Sequence, residues 1–166
     1  GYVAVALAQA NGRLGTRKRY KTLDRPYAVA LGDVTGDGVH DIVAGNGTYQ
    51  EVYILEGAPD GTFGMERVQS MGVTFSCMAV GRIDRDGLAD VVVGERDGRA
   101  VAIAYARPDG TFAPIENYVG GLDPSAIAIG DFDGDGWNDL VTANPSTDDV
   151  SILFGKPFAG FHPEVR

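Results

Sequence analysis

The 166-residue chain contains one cysteine and two histidines. Cys77 alone permits no disulfide within the chain, and its apolar setting, Cys77-Met78-Ala79-Val80, marks a small buried hydrophobe. With only His40 and His162 beside it, neither a nitrogen- and sulfur-rich zinc site nor a thiol nucleophile with a paired base is supported. Positive charge is also scarce: 14 Lys and Arg stand against 23 Asp and Glu, for a net charge of −9. That balance excludes non-specific binding to nucleic acid or anionic membranes, which needs a positive field. No apolar run approaches the roughly 20 residues of a membrane span, so membrane insertion is not expected. No signal peptide is visible. The chain begins at Gly1 rather than Met, as in a processed product or a piece of a longer polypeptide. No window carries a 3.6-residue apolar period, and no G-x-S-x-G, H-E-x-x-H or Ser/His/Asp arrangement occurs. Helices and catalysis are therefore not expected.

What the chain has in abundance is glycine, 24 residues, spread evenly among Val, Ile, Ala and Tyr. This composition suits short strands joined by tight turns. It is organised as an internal repeat. Gly32-Asp33-Val34-Thr35-Gly36-Asp37-Gly38-Val39-His40-Asp41 returns as Gly130-Asp131-Phe132-Asp133-Gly134-Asp135-Gly136-Trp137-Asn138-Asp139. Between them lies a weaker copy, Gly81-Arg82-Ile83-Asp84-Arg85-Asp86-Gly87-Leu88-Ala89-Asp90. Successive copies are 49 residues apart, and the same spacing links Phe63, Phe112 and Phe161, each after a turn such as Pro59-Asp60-Gly61-Thr62 or Ala159-Gly160. Val3, Val52, Val101 and Val150 keep it too.

Each unit reads as four short strands, exemplified by residues 28–32, 42–45, 52–55 and 63–68. Four-stranded units of this length define an all-β fold, a β-propeller of antiparallel blades. The first 16 residues match the second half of a unit, with a strand at 3–7. Residues 17–65, 66–114 and 115–163 are then whole blades, about 3.5 in all. Since propellers close with four to eight blades, the ring is expected to be completed by further sequence or by other chains.

In the first and third copies, oxygen-bearing side chains fall at loop positions 1, 3, 5 and 9, with Gly at 4 and 6. Asp33, Thr35, Asp37 and Asp41 form one set, with the Val39 carbonyl available at position 7. Asp131, Asp133, Asp135 and Asp139 form the other, with the Trp137 carbonyl. Alternating oxygens on a tight turn converge on one point, and several hard oxygens suit Ca²⁺. Unscreened carboxylate pairs at ~4 Å cost on the order of 1–4 kcal/mol, which a cation cancels. An EF-hand is excluded, because position 12 is Ala44 or Thr142 rather than Glu and the flanks are β. In the middle copy Arg82 replaces the first Asp, while Asp84, Asp86 and Asp90 remain candidate ligands. A guanidinium could there take the ion's electrostatic place, so calcium and arginine both stay open as the neutralising charge.

These residues resemble the FG-GAP/VCBS repeat family, the blade type of integrin α-subunit propellers and of many secreted bacterial and fungal proteins. The resemblance implies that the eight acidic and hydroxyl residues of the first and third loops are structural calcium ligands. Calcium sites of this kind typically need the millimolar ion found outside cells, so the expected home is extracellular or the cell surface, with the periplasm as another.

Alternating strand directions place the 2–3 and 4–1 loops on the rim opposite the acidic hairpins. The 2–3 loops vary most between copies, at 46–50, 95–99 and 144–149, and variable loops on a repeating frame suit recognition. Tyr49, Arg96, Tyr118 and Asp123 are candidate contacts for a protein or glycan ligand. Asn46-Gly47-Thr48 is a glycosylation sequon. The cations Arg13, Arg17, Lys18, Arg19, Lys21 and Arg25 read as guards of an outer edge strand, with a polyanion-binding patch as the alternative. The expected function is a calcium-stabilised recognition or adhesion module, lectin-like in character. The alternatives are a structural repeat of an assembly or filament, or a non-catalytic propeller domain of a secreted enzyme.

Overall fold

The computed structural model describes residues 1–22, 25–157, 160–163 and 165. Among them, every regular element is a strand. β1 (Tyr2–Val5) and β2 (Lys18–Lys21) form a two-stranded sheet. β3 (Ala28–Gly32), β4 (Asp41–Asn46), β5 (Glu51–Gly57) and β6 (Phe63–Ser70) form the first complete blade, each strand beside its sequence neighbour. β7 (Phe75–Gly81), β8 (Asp90–Glu95), β9 (Ala100–Ala104) and β10 (Glu116–Val119) repeat it. β11 (Ala126–Gly130), β12 (Asp139–Asn144) and β13 (Asp149–Leu153) form a third, three-stranded sheet. All pairings are antiparallel.

The expected strands are found, but the one expected at 3–7 is Tyr2–Val5 and the sheet of the first blade runs over 28–70 rather than 17–65. Two further differences stand beside these. The fourth strand of the second blade begins at Glu116, and Phe112 makes only an isolated bridge to Ala106. In the third blade the fourth strand is reduced to a bridge between Ile152 and Val165. Bridges from the residue before each 3–4 turn to Leu14, Phe112 and Phe161 repeat at the 49-residue spacing, as does the pair Gly57 and Phe63 within the first blade. The Ala159 half of the last turn lies outside the described residues.

Side-chain alternation makes the core. In β8, Val91 and Val93 face the first blade while Val92 faces the third; in β9, Ala102 and Ala104 face the first while Val101 and Ile103 face the third. A strand's period of two therefore gives the middle blade two buried faces, and apolar burial between sheets is the dominant stabilising term. β7 lies between β3 and β11, which sets the innermost strands side by side. Their close approach depends on glycine. A Cβ on Gly32 would lie 2.5 Å from Val80 Cγ1, and one on Gly81 would lie 3.0 Å from Ile129 Cδ1. At the outer margin, Tyr20 packs edge-on to Phe63 and Tyr118 edge-on to Phe161, with ring centroids 5.3 and 5.1 Å apart.

Candidate metal loops and recognition rim

Each acidic loop joins the first and second strands of a blade, and each hairpin closes on a Gly–Asp pair: Gly32 with Asp41, Gly81 with Asp90, Gly130 with Asp139. The position-9 carboxylates are buried. Asp41 Oδ2 accepts the amides of Val34 and Thr35 at 3.0 and 3.1 Å, and its Oδ1 accepts Gly57 N at 2.9 Å. Asp90 accepts Ile83 N and Ala106 N, and Asp139 accepts Phe132 N and Gly155 N, in the same pattern. Each ties its own loop to the end of the third strand. Burial raises the Asp41 pKa against the opposing pull of these amides. Asp90 is pushed up to about 7, by burial first and then by the charges of Asp84 and Asp86.

Positions 1 and 5 organise the turn. Asp33 accepts Gly36 N through Oδ1 and Gly38 N through Oδ2, and Asp131 does the same with Gly134 N and Gly136 N. Asp37 and Asp135 hold the amides of Val39 and Trp137 at 2.8 and 2.7 Å. Gly36, Gly38, Gly134 and Gly136 all have φ between 80° and 86°, a left-handed turn that a side chain resists.

The donors of the third loop fit a calcium ion. One carboxylate oxygen each from Asp131, Asp133 and Asp139 lie within 4.8 Å of one another. Oxygens around a single Ca²⁺ at about 2.4 Å can be at most about 4.8 Å apart. Asp135 lies outside that group, turned onto the Trp137 amide. In the first loop, Thr35 places a buried hydroxyl at position 3, beside the Asp41 carboxylate that it helps to hold.

The middle loop is built differently. No ion pair joins Arg82 to Asp84, Asp86 or Asp90; Arg82 is exposed, and its carbonyl accepts Asn138 Nδ2 at 2.6 Å. The expected arginine surrogate is therefore not formed, because its side chain points outward. The residue that matters there is Arg85, which sequence reasoning passed over. It stands at position 4, where the other two loops have Gly, and that contrast was the available signal. Its Nη2 donates to Gly136 O of the third loop, and its guanidinium lies 4.2 Å from the centroid of the Trp137 ring.

On the opposite rim, the 4–1 and 2–3 loops do meet. Asp123 accepts Asp97 N through Oδ1 and Ser146 Oγ through Oδ2, bridging three loops. It is a strut in this rim. Arg96 donates to Phe75 O and lies over the Tyr27 ring, and Tyr27 OH donates to the same carbonyl. Tyr49 is exposed. Tyr118 is not a rim residue: it is half-buried in β10, its hydroxyl bound to Glu116 and its ring against Phe161. The sequon Asn46 is 2 % exposed and its Oδ1 accepts Tyr49 N, so its side chain is buried in the folded blade. His40 is exposed. Cys77 is buried, donates to Pro124 O, and has its pKa pushed up to about 11 by burial.

Sheets repeated side by side, each carrying an Asp-Gly hairpin at one rim and a variable loop at the other, define a β-propeller repeat protein. The FG-GAP-like repeat matches residues 33–93 and again 82–142, and the chain belongs to that family. No curated protein matches it in sequence. Among solved structures it is similar to an Agrocybe aegerita lectin described for specific recognition of non-reducing terminal N-acetylglucosamine. That match has a TM-score of 0.65 and 20% identity, covering 98% of this chain and 46% of the lectin. It is also similar to BBS1N, solved in complex with ARL6DN, at a TM-score of 0.55 and 17% identity over 90% of this chain and 49% of that one. The chain thus spans about half the length of the structures it matches.

Proposed function

We propose that the chain is a calcium-stabilised recognition module acting outside the cell or at its surface, binding a glycan or a protein through the rim of 2–3 and 4–1 loops. The observation that carries this reading is the division of labour between the rims. One carries the repeated acidic hairpins, the third of which brings three carboxylate oxygens to ion spacing. The other presents loops that differ from blade to blade, with Tyr49, Arg96 and Tyr27 available on their surface. The fold shared with a sugar-recognising lectin supports a glycan as the first ligand class to test. Binding rather than catalysis is favoured because the buried loop carboxylates are engaged by backbone amides.

A second reading, a repeat within a larger assembly, has its own support. Position-equivalent residues are buried between blades but open at the two ends of the arc. Val34 and Ile83 are 1 % and 5 % exposed, whereas Phe132 is 52 % exposed; Leu31 is 58 % exposed at the other end. Further blades, from additional sequence or another chain, would cover such faces.

A glycan array in millimolar Ca²⁺, beside melting curves in Ca²⁺ and in EGTA, tests the first reading. Binding to a defined terminal sugar that disappears in EGTA supports it. Melting that ignores chelation removes the calcium component, and an array without binding removes the glycan.

A further inference from the structure

We propose that Arg85 is a positioning residue for the third loop, through which the middle loop sets the cation affinity of its neighbour. The proposal rests on the calcium reading of that neighbour.

The middle loop has lost two features that the other loops use. Arg82 replaces the position-1 carboxylate that gathers loop amides, and Arg85 replaces the position-4 glycine. Gly36 and Gly134 take φ of 81° and 80° at position 4, whereas Arg85 has no positive φ. The backbone of the middle loop therefore does not make the left-handed turn at that position.

The side chain gained there reaches the next blade. Arg85 Nη2 donates to Gly136 O, while the amide of the same peptide unit, Trp137 N, donates to Asp135 Oδ1. The Gly136–Trp137 peptide plane is thus held from both sides. Its neighbour, the Trp137 carbonyl, is the position-7 oxygen. The guanidinium also covers the Trp137 ring at 4.2 Å, and Asn138 Nδ2 is held by Arg82 O at 2.6 Å. Three consecutive residues of the third loop are fixed by the middle one.

The junction between the first and middle loops lacks this device. There Ala89 N donates to Asp33 O at 2.9 Å, and Leu88 packs under Gly36. Fixing a loop before an ion arrives lowers the ordering cost of binding. By reciprocity, an ion in the third loop tightens the joint between the second and third blades. Repulsion between the guanidinium and the ion opposes this, but Arg85 is solvent-exposed beside Asp84 and Asp86, where charge is well screened.

Trp137 is the only tryptophan, so its emission reports on this loop alone. Ca²⁺ is titrated into the whole chain while that emission is followed, in wild type and in Arg85→Ala, Arg85→Lys and Asp131→Asn, with folding checked by circular dichroism. The expected result is a midpoint raised about threefold to fivefold in both Arg85 variants, matching loss of an exposed cation–π contact and its hydrogen bond. Lys keeps the charge but not the planar fork, so a Lys variant that titrates like wild type overturns the proposal. So does an Ala variant that binds as tightly as wild type or more tightly. If wild type shows no Ca²⁺ response, or Asp131→Asn responds unchanged, the calcium reading itself fails and takes this proposal with it.

Discussion

Asp41 and Gly57 are joined across the first blade by a hydrogen bond of 2.9 Å, from the backbone amide at the end of β5 to a buried carboxylate at the start of β4. Asp90 with Ala106 and Asp139 with Gly155 repeat it at the same separation of 16 residues. One oxygen of each carboxylate serves the acidic loop and the other serves the third strand. Position 9 is therefore as much a fold residue as a ligand candidate.

Replacing Asp41 should consequently be costly even without metal. Asp41→Ala removes the acceptor of the Gly57, Val34 and Thr35 amides, the first two buried, and leaves Val34 only its bond to Gly32 O. The expected loss is about 3–5 kcal/mol in EGTA. Asp37→Ala, at an exposed position holding one amide, should lose about 1 kcal/mol or less. Urea melts of both variants in EGTA check this, and equal losses would refute the clamp.

Asp90 makes stability depend on pH in an unusual direction. Its folded pKa of about 7 lies above the ordinary carboxylate value of 3.8, so folding favours the protonated form. This contribution is complete below about pH 4 and is lost as pH rises to 7, amounting to about 4 kcal/mol. In chelator, wild type should therefore lose more stability between pH 4 and 7 than Asp90→Asn does, whatever their absolute values. Parallel pH profiles for the two proteins would contradict the assignment.

The order of blades can be tested by adding one methyl group. Gly32→Ala would place a Cβ 2.5 Å from Val80 Cγ1 and 2.8 Å from Ala89 Cβ, both on the next blade. A loss of about 1–3 kcal/mol is expected from this overpacking. The equivalent Gly130→Ala meets only the Phe132 ring of its own loop, at 3.4 Å, and should cost much less. Calorimetry of the two variants decides; a tolerated Gly32→Ala would mean that β3 and β7 do not approach as described.

Cys77 should be inert in the folded protein. Its thiol is buried, bound to Pro124 O, and raised to about 11. A thiol reagent at pH 8 should react slowly with native protein and quickly in guanidinium, since the thiolate is the reactive form. Rapid reaction of the native chain would show the joint between the second and third blades opening readily.

The strands, their antiparallel order and the position of each acidic hairpin were readable from the chain because they are local and repeated. Alternation of period two, Asp-Gly turns and a constant 49-residue spacing leave little freedom in how one unit folds. The convergence of Asp131, Asp133 and Asp139 was legible for the same reason: all three lie within nine residues of one hairpin. What stacking decided was everything that passes between units. Tyr118 turned inward because Phe161 of the next blade offers it a face, Asn46 was buried at the end of β4, and Asp123 became a strut through contact with two other loops. Arg85 found its partner 51 residues away. A repeat states what each blade is; only packing the blades together brings distant residues within reach of one another.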